Sequence, residues 1–376
     1  MLGNYLKIAI RNLTRNSLYS FINVAGLAIG LACFVLVGIY VKNETGYDRF
    51  FAHSENTYRL ITHVDVNGAQ NRYSMAHYPA PFDMVAEFPE VVAAATLFKP
   101  FYFSNLRPTI KYQDNAYEEG KFYMADSSFF SVFDFDFKYG NREKAFENSN
   151  SVVLTNETAK KYFGDTNPLG QLITFQDTVT FKVTGVLRPF RGKTHLDFDF
   201  LAHSKLLINQ LVGFRIDHDY RGMWYFSYVV LAPGTDPSQT DAKLPAFVKS
   251  HYLPRYTENN AALTLQPIRD IHLKSDFSNA DISVNGNIQY VYILSSIAIL
   301  VLVIACINFM NLSIARYSNR GKEVGIRKVM GAQKKNLVFQ FLGESLLIAI
   351  ISGAISFFVV WAVIPVFNDL ASTRLK

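Results

Sequence analysis

Three stretches of the chain carry no charged residue: 16–41, 289–315 and 345–368. Each is longer than the roughly 20 residues that an α-helix, rising about 1.5 Å per residue, needs to cross a hydrocarbon core about 30 Å thick. The pattern predicts transmembrane helices over 21–42, 288–315 and 337–367. Between the first two lies a polar segment, 43–287, large enough to build its own core. Alternating or aromatic-rich runs within it predict strands at Tyr58–Val66, Val91–Phe98, Ser151–Thr155, Leu172–Phe175, Thr180–Val186, Trp224–Leu231 and Ala262–Pro267. Helical spacing predicts helices at Pro81–Glu87, Glu157–Phe163 and Gln239–Tyr252. The mixture predicts a large α+β domain beside α-helical membrane segments. In Phe129–Phe137, the residues Phe133, Phe135 and Phe137 alternate with Asp134 and Asp136. That reads first as an amphipathic strand burying one face, and second as a groove for a lipid or hydrophobic substrate.

The first twenty residues place Leu2, Tyr5, Leu6, Ala9, Ile10 and Leu13 at helical spacing, with Lys7, Arg11 and Arg15 four apart on another face. This predicts an amphipathic helix in the inner-leaflet interface leading into the first span. The following apolar run exceeds a signal-peptide core and no A-x-A-like site follows, so it reads as an uncleaved anchor. Gly26 and Gly30, echoed by Ala28 and Ala32, form a small-xxx-small face suited to close packing on another helix.

Charge then orients the chain. The net +6 conceals three basic residues and no acid in 1–20, seven basic residues against one acid in 316–335, and 25 basic against 28 acidic residues in 42–287. By the positive-inside rule both basic regions are cytoplasmic and the large segment is extracytoplasmic. The basic pI therefore reflects topology and gives no support to nucleic-acid binding. Cys33 and Cys306 both lie in spans, so the large domain folds without disulfides. The eight histidines form no H-x-x-x-H pair and none sits near a cysteine, so no metal site is expected. No Walker A loop and no G-x-S-x-G elbow occurs, so neither a catalytic nor a cofactor-binding residue is expected.

The basic loop reads Arg320, Lys322, Glu323, Val324, Gly325, Ile326, Arg327, Lys328, Gly331, Ala332. This run resembles the FtsX-type signature of MacB/FtsX-family ABC transporter permeases. Ser151–Gly164, then Asn167-Pro-Leu-Gly170 and Phe181–Val186, is similar to that family's extracytoplasmic core domain. The local physics is legible: a strand, Thr155 or Asn156 as helix N-cap, Glu157 in the first turn, a closing Gly164 and a Pro-Leu-Gly turn.

The resemblance implies an amphipathic helix (1–20), a first span (21–42), a MacB-like core domain (43–287), a second span (288–315), a cytoplasmic coupling segment (316–336), a third span (337–367) and an extracytoplasmic tail (368–376). The core domain would be a porter-like part with a second subdomain inserted near 100–220. A fourth span is expected behind the third, so the chain reads as a piece of a longer permease. The implied function is that of the permease subunit of an ABC system in a bacterial inner membrane. It would take work from a separate cytoplasmic ABC ATPase, pair as a homodimer or heterodimer with another permease, contact membrane lipid and meet a periplasmic adaptor. Arg320, Lys322, Glu323, Arg327, Lys328 and Gly331 would form the ATPase-coupling lever, with Glu323 and Arg327 four apart for intrahelical pairing and Gly331 ending the helix. Glu344 lies two and a half turns past Lys335, roughly 13 Å along the axis, where an unpaired carboxylate is costly. It is expected to face protein or water, with Asn308 and Asn311 as hydrogen-bonding candidates. The alternative reading is a membrane-anchored extracytoplasmic binding or regulatory module without transport; a hydrolase has no supporting motif.

Overall fold

The computed structural model describes residues 11, 17–66, 68–100, 107–205, 220–277, 281–319, 325, 326, 329, 330 and 334–370. In chain order the elements are α1 (Ser17–Glu44), β1 (Thr57–Val66), β2 (Ala69–Tyr73), β3 (Ala76–His77), α2 (Ala80–Glu87), β4 (Val91–Phe98), β5 (Thr109–Tyr112), β6 (Asn115–Glu118), β7 (Phe122–Ala125), α3 (Phe129–Val132), β8 (Phe137–Tyr139), β9 (Ser151–Leu154), α4 (Asn156–Phe163), β10 (Leu172–Phe175), β11 (Val179–Leu187), β12 (Phe200–His203), β13 (Met223–Leu231), α5 (Pro237–Asp241), α6 (Leu244–His251), α7 (Pro254–Thr257), β14 (Ala262–Pro267), α8 (Ile268–Lys274), α9 (Ile288–Asn319) and α10 (Lys334–Leu370). They form two units, residues 46–287 on one hand and 1–45 with 288–376 on the other.

The helical unit holds three helices long and apolar enough to span a membrane, Ser17–Glu44, Ile288–Ala315 and Phe341–Phe367. Helix α1 packs against both α9 and α10. Most of the large apolar side chains along α9 and α10 are exposed, as expected where lipid replaces water.

The other unit is a mixed α/β domain on one sheet of fourteen described strands, with main order β14-β1-β13-β4-β7-β12-β9-β11-β10-β5-β6. Strand β2 adds to β1, β3 to β13 and β8 to β11. Two parallel pairs, β7 with β12 and β9 with β11, interrupt an otherwise antiparallel ladder. Between the parallel strands β9 and β11 the chain runs through α4 and β10, a crossover of the length that a parallel pair requires. Thr155 is the N-cap of α4, accepting from the Thr158 amide at 3.3 Å, and Gly164 closes it at φ 64°. The buried face of α4, Thr158, Ala159, Tyr162 and Phe163, follows helical period.

Three apolar clusters form the core. One, with Leu60, Met84, Val229 and Phe247, packs α2 and α6 on β1, β4, β13 and β14. A second, with Phe122, Phe175, Phe181 and Phe200, packs α4 on β7, β9 and β10–β12. The third, with Phe129, Phe133, Phe135 and Tyr228, lies across the junction of these two halves. That junction is narrow: β4 and β7 pair only through Leu97–Ala125 and Phe98–Met124.

Two expectations fail here. Phe129–Phe137 is not a strand: Phe129–Val132 make one helical turn, closed by the Phe133 amide on the Phe129 carbonyl at 2.9 Å, and only Phe137 enters a strand. Its aspartates explain why. The Asp134 carboxylate accepts from the Ala52 amide at 2.9 Å and from Arg191 at 2.8 Å, fixing an irregular path that competes with any ladder. Phe129, Phe130, Phe133 and Phe135 are all buried, which also removes the groove reading for them. Gln239–Tyr252 is not one helix either. It divides into α5 and α6, because Pro245 has no amide to donate and its ring clashes with the carbonyl four residues back.

Candidate functional site

The residues of the basic lever, Arg320, Lys322, Glu323, Arg327, Lys328 and Gly331, lie outside the described residues. The other polar and small residues singled out in the spans are placed. Glu344, on α10, is 1% exposed and sits in protein, while Asn308 and Asn311 on α9 are exposed. Gly30 faces α9 so closely that a Cβ there would meet the Ala305 Cβ at 2.6 Å. A Cβ on Gly26 would lie 3.6 Å from Asn308 Nδ2. On the side of α10, the Ser352 hydroxyl donates to the Val24 carbonyl at 3.2 Å.

The domain of residues 46–287 carries a second set of buried polar groups, at the two places where its chain begins and ends. At the start, Asp48 has φ 60°, a left-handed conformation that Asp tolerates better than most residues. Its amide donates to the Lys193 carbonyl at 2.8 Å. Its carboxylate accepts from the Thr194 hydroxyl at 2.6 Å, from the His195 amide at 3.2 Å and from His195 Nδ1 at 2.9 Å. With Nδ1 carrying the proton, Nε2 is left to accept from the Tyr228 hydroxyl at 2.8 Å. Asp48, His195 and Tyr228 are all at most 1% exposed. Burial pushes the Tyr228 hydroxyl far above its ordinary range, so it stays a neutral donor.

At the end, Asp281 pairs with Arg59 Nη1 at 2.6 Å, their side chains 4% and 0% exposed. Arg59 also donates to Gln266 Oε1 at 2.8 Å and to the Ser275 hydroxyl at 3.1 Å, and its guanidinium lies 5.0 Å from the centre of the Phe277 ring. The Asn285 amide donates to the other Asp281 oxygen at 3.1 Å. Burial pushes the Asp281 carboxyl up, but the charge and hydrogen bond of Arg59 outweigh it and hold it below the usual carboxylate range. The adjoining Ile282 is buried, and its carbonyl accepts from the Tyr123 hydroxyl at 3.3 Å.

None of these five ionisable or hydroxyl groups stands out by local motif. Asp48, His195 and Tyr228 are separated by more than 30 residues at each step, and so are Arg59 and Asp281, so only the fold assembles them. One signal was available: Arg59 is a charge inside the otherwise strand-like run Thr57–Val66, at a position where its neighbours Tyr58 and Leu60 are also buried. Among the described residues no group of three or more His, Cys, Asp or Glu side chains could hold a metal ion.

Fold and polar groups together define a membrane protein with a large mixed α/β domain set between its first two spans. Residues 20–247 match the model of the MacB-like periplasmic core domain, and residues 295–376 that of the FtsX-like permease C-terminal region. The chain belongs to the MacB/FtsX family of ABC transporter permease components, a family that works with a cytoplasmic ABC ATPase. It is an inner-membrane protein with a periplasmic domain. Among curated proteins it is similar to the macrolide export ATP-binding/permease protein MacB of Aggregatibacter actinomycetemcomitans, 25% identical over 69% of this chain and 39% of that protein. The same-named protein of Acinetobacter baylyi is 20% identical over 94% of this chain and 50% of its own length. The chain thus spans half or less of the length of these relatives. Among solved structures, the periplasmic region of MacB from Actinobacillus actinomycetemcomitans is 15% identical, covers 56% of this chain and 89% of its own, and superposes with a TM-score of 0.40.

Proposed function

We infer that this chain is the permease subunit of an ABC system whose separate ATPase moves the periplasmic domain through the membrane helices. The observation that carries the reading is the match of two family models, one to the periplasmic domain and one to the permease region, along most of a single chain. On this reading the N-terminus and the 316–336 segment are cytoplasmic. The ATPase pushes on Arg320, Lys322, Glu323, Arg327, Lys328 and Gly331, and two permease copies face two ATPases. The buried carboxylate of Glu344 supports a role for α10 in passing that movement on, since a polar group held inside a span is retained at a cost. A periplasmic adaptor would receive the output.

Substitution of the lever tests the reading. With the P-loop ATPase that co-purifies with the full chain, Glu323→Lys or Gly331→Val abolishes stimulation of ATP hydrolysis while membrane insertion is unchanged. Normal stimulation in both variants overturns the reading, and recovery of no P-loop ATPase favours an anchored binding or regulatory module instead.

A further inference from the structure

The two buried polar clusters at the start and end of the periplasmic domain are not independent in the sheet. Arg59 on β1 lies directly opposite Tyr228 on β13 and directly opposite Gln266 on β14. Residues directly opposite in a pleated sheet project from the same face, so Gln266, Arg59 and Tyr228 form one polar row across three adjacent strands. The start of the domain reaches this row from one side, through Asp48 and His195 to the Tyr228 hydroxyl. The end reaches it from the other, through Asp281 to Arg59, which also holds Gln266. The covalent distances are short. Asp48 is four residues past the last residue of α1, and Asp281 is seven before the first residue of α9.

We propose that the Gln266–Arg59–Tyr228 row is one shared anchor through which both chain connections grip the periplasmic domain. This rests on the reading above and deepens it by naming the residues that take up the movement of the spans. The chemistry suits the task. A buried ion pair and a buried hydroxyl–imidazole–carboxylate chain resist sliding, because a displaced partner would leave a polar group unpaired in a medium without water. Apolar contacts would permit gradual repacking. The row also touches the route to the rest of the domain: Tyr228 is paired on its other side with Ala95 of β4, the strand that continues through Leu97 and Phe98 into the β7 half.

Alternative explanations of the same residues fare worse. A catalytic Asp–His–Tyr arrangement would need an approach for substrate, but Asp48, His195 and Tyr228 are all sealed from solvent. Purely local stapling would account for each cluster alone. It would not place their two ends on directly opposite residues.

Hydrogen exchange on the full chain in lipid nanodiscs tests the sharing directly. Tyr228→Phe deletes one hydroxyl and no packing volume to speak of. If the anchor is shared, exchange rises about tenfold or more at residues 46–48 and 193–197, and also at 281–287, which the deleted hydroxyl does not touch. Asp281→Asn has the mirrored effect, reaching 46–48. Should that variant fail to fold, Arg59→Met with Asp281→Leu removes the ion pair without stranding a charge. Effects confined to the near cluster in both directions overturn the proposal. A second arm adds the co-purifying ATPase and ATP. In the wild type, exchange at 46–48 and 281–287 changes together, and Tyr228→Phe uncouples the two. A wild-type response that survives intact in Tyr228→Phe overturns the anchor, whereas no response in the wild type overturns the ATPase-coupling reading and leaves the anchor to be decided by the first arm.

Discussion

The two halves of the periplasmic sheet are held together by different physics. The half built from β14, β1, β13 and β4 contains both ends of the domain's chain and seats a buried Arg–Asp pair and a buried Asp–His–Tyr chain in or beside its core. The half from β7 to β6 is a single excursion, and its core is aromatic: Phe122 packs on Phe175, Phe181 and Phe200 with ring centroids 4.7, 5.8 and 5.7 Å apart. Ion pairs in that half reach solvent, as Lys121–Asp197 and Lys161–Glu119 do. Apolar packing is non-directional and tolerates adjustment, whereas a desolvated ion pair has one good geometry. The buried polar fastening thus sits where the domain's chain begins and ends, and the excursion enters it at two places, Lys193–His195 against Asp48 and Tyr123 against Ile282.

The largest effect should come from breaking that fastening. Asp281→Ala leaves the fully buried Arg59 charge unpaired, a loss of about 3–5 kcal/mol. In a urea titration of the full chain in detergent, the midpoint of the periplasmic domain falls accordingly, and Arg59→Met with Asp281→Leu restores most of it. A drop no larger than that of a surface pair would erase the contrast between the halves.

Acid should separate two buried carboxylates whose pKa values are shifted in opposite directions. Asp281 has a folded pKa below its unfolded value of about 3.9, so its contribution is present above that value and is lost as pH falls through the folded one. Asp126 stands at the β4–β7 junction, where Thr96 donates to it. Burial raises its pKa in spite of the hydrogen bonds from Ser128 and Thr96. It binds its proton more readily folded than unfolded, so stability attributable to it rises as pH falls through the folded value. Urea midpoints measured from pH 7 down to about pH 3 should lose acid sensitivity in Asp281→Asn and gain it in Asp126→Asn. The same slope in all three proteins would break the assignment.

What the sequence disclosed follows from how local each cause is. Helix α4 was legible to within a residue, because its N-cap Thr155, buried face and closing Gly164 are all within ten residues of one another. The strands β4, β10 and β14 were likewise bounded by their own patterns. Short strands such as β5, β6 and β12 were missed: four residues offer only two positions per face, and β10, of the same length, is legible because Leu172, Ile173, Thr174 and Phe175 are strand formers set between turn residues. Phe129–Phe137 misleads because its alternation imitates a strand's period. Its aspartates instead accept from Ala52 and Arg191, partners some 60 to 80 residues away. The anchor was invisible for the same reason on a larger scale: Arg59 and Asp281 are 222 residues apart. The proposed coupling lever is the reverse case, read wholly from a contiguous motif.

A smaller change probes the excursion by itself. Thr155→Ala removes the side chain that accepts from the Thr158 amide and should cost about 1 kcal/mol. Because α4 packs on β11, faster exchange should spread through 151–187 and stop short of β1 and β13. Spreading into 57–66 would mean the halves unfold as one, and the contrast between them would concern chemistry without mechanics.

The smallest effect is the control that gives the others meaning. Lys121 and Asp197 meet at 2.7 Å, nearly the separation of Arg59 and Asp281, but their side chains are 48% and 45% exposed. Water and salt screen such a pair, and fixing two flexible side chains consumes much of what attraction remains, so Lys121→Ala should cost under about 1 kcal/mol and less still in high salt. Equal distance with unequal burial isolates desolvation as the variable. If Lys121→Ala proved as damaging as Asp281→Ala, the strength of the anchor would have to be sought in the packing around it and not in its charge.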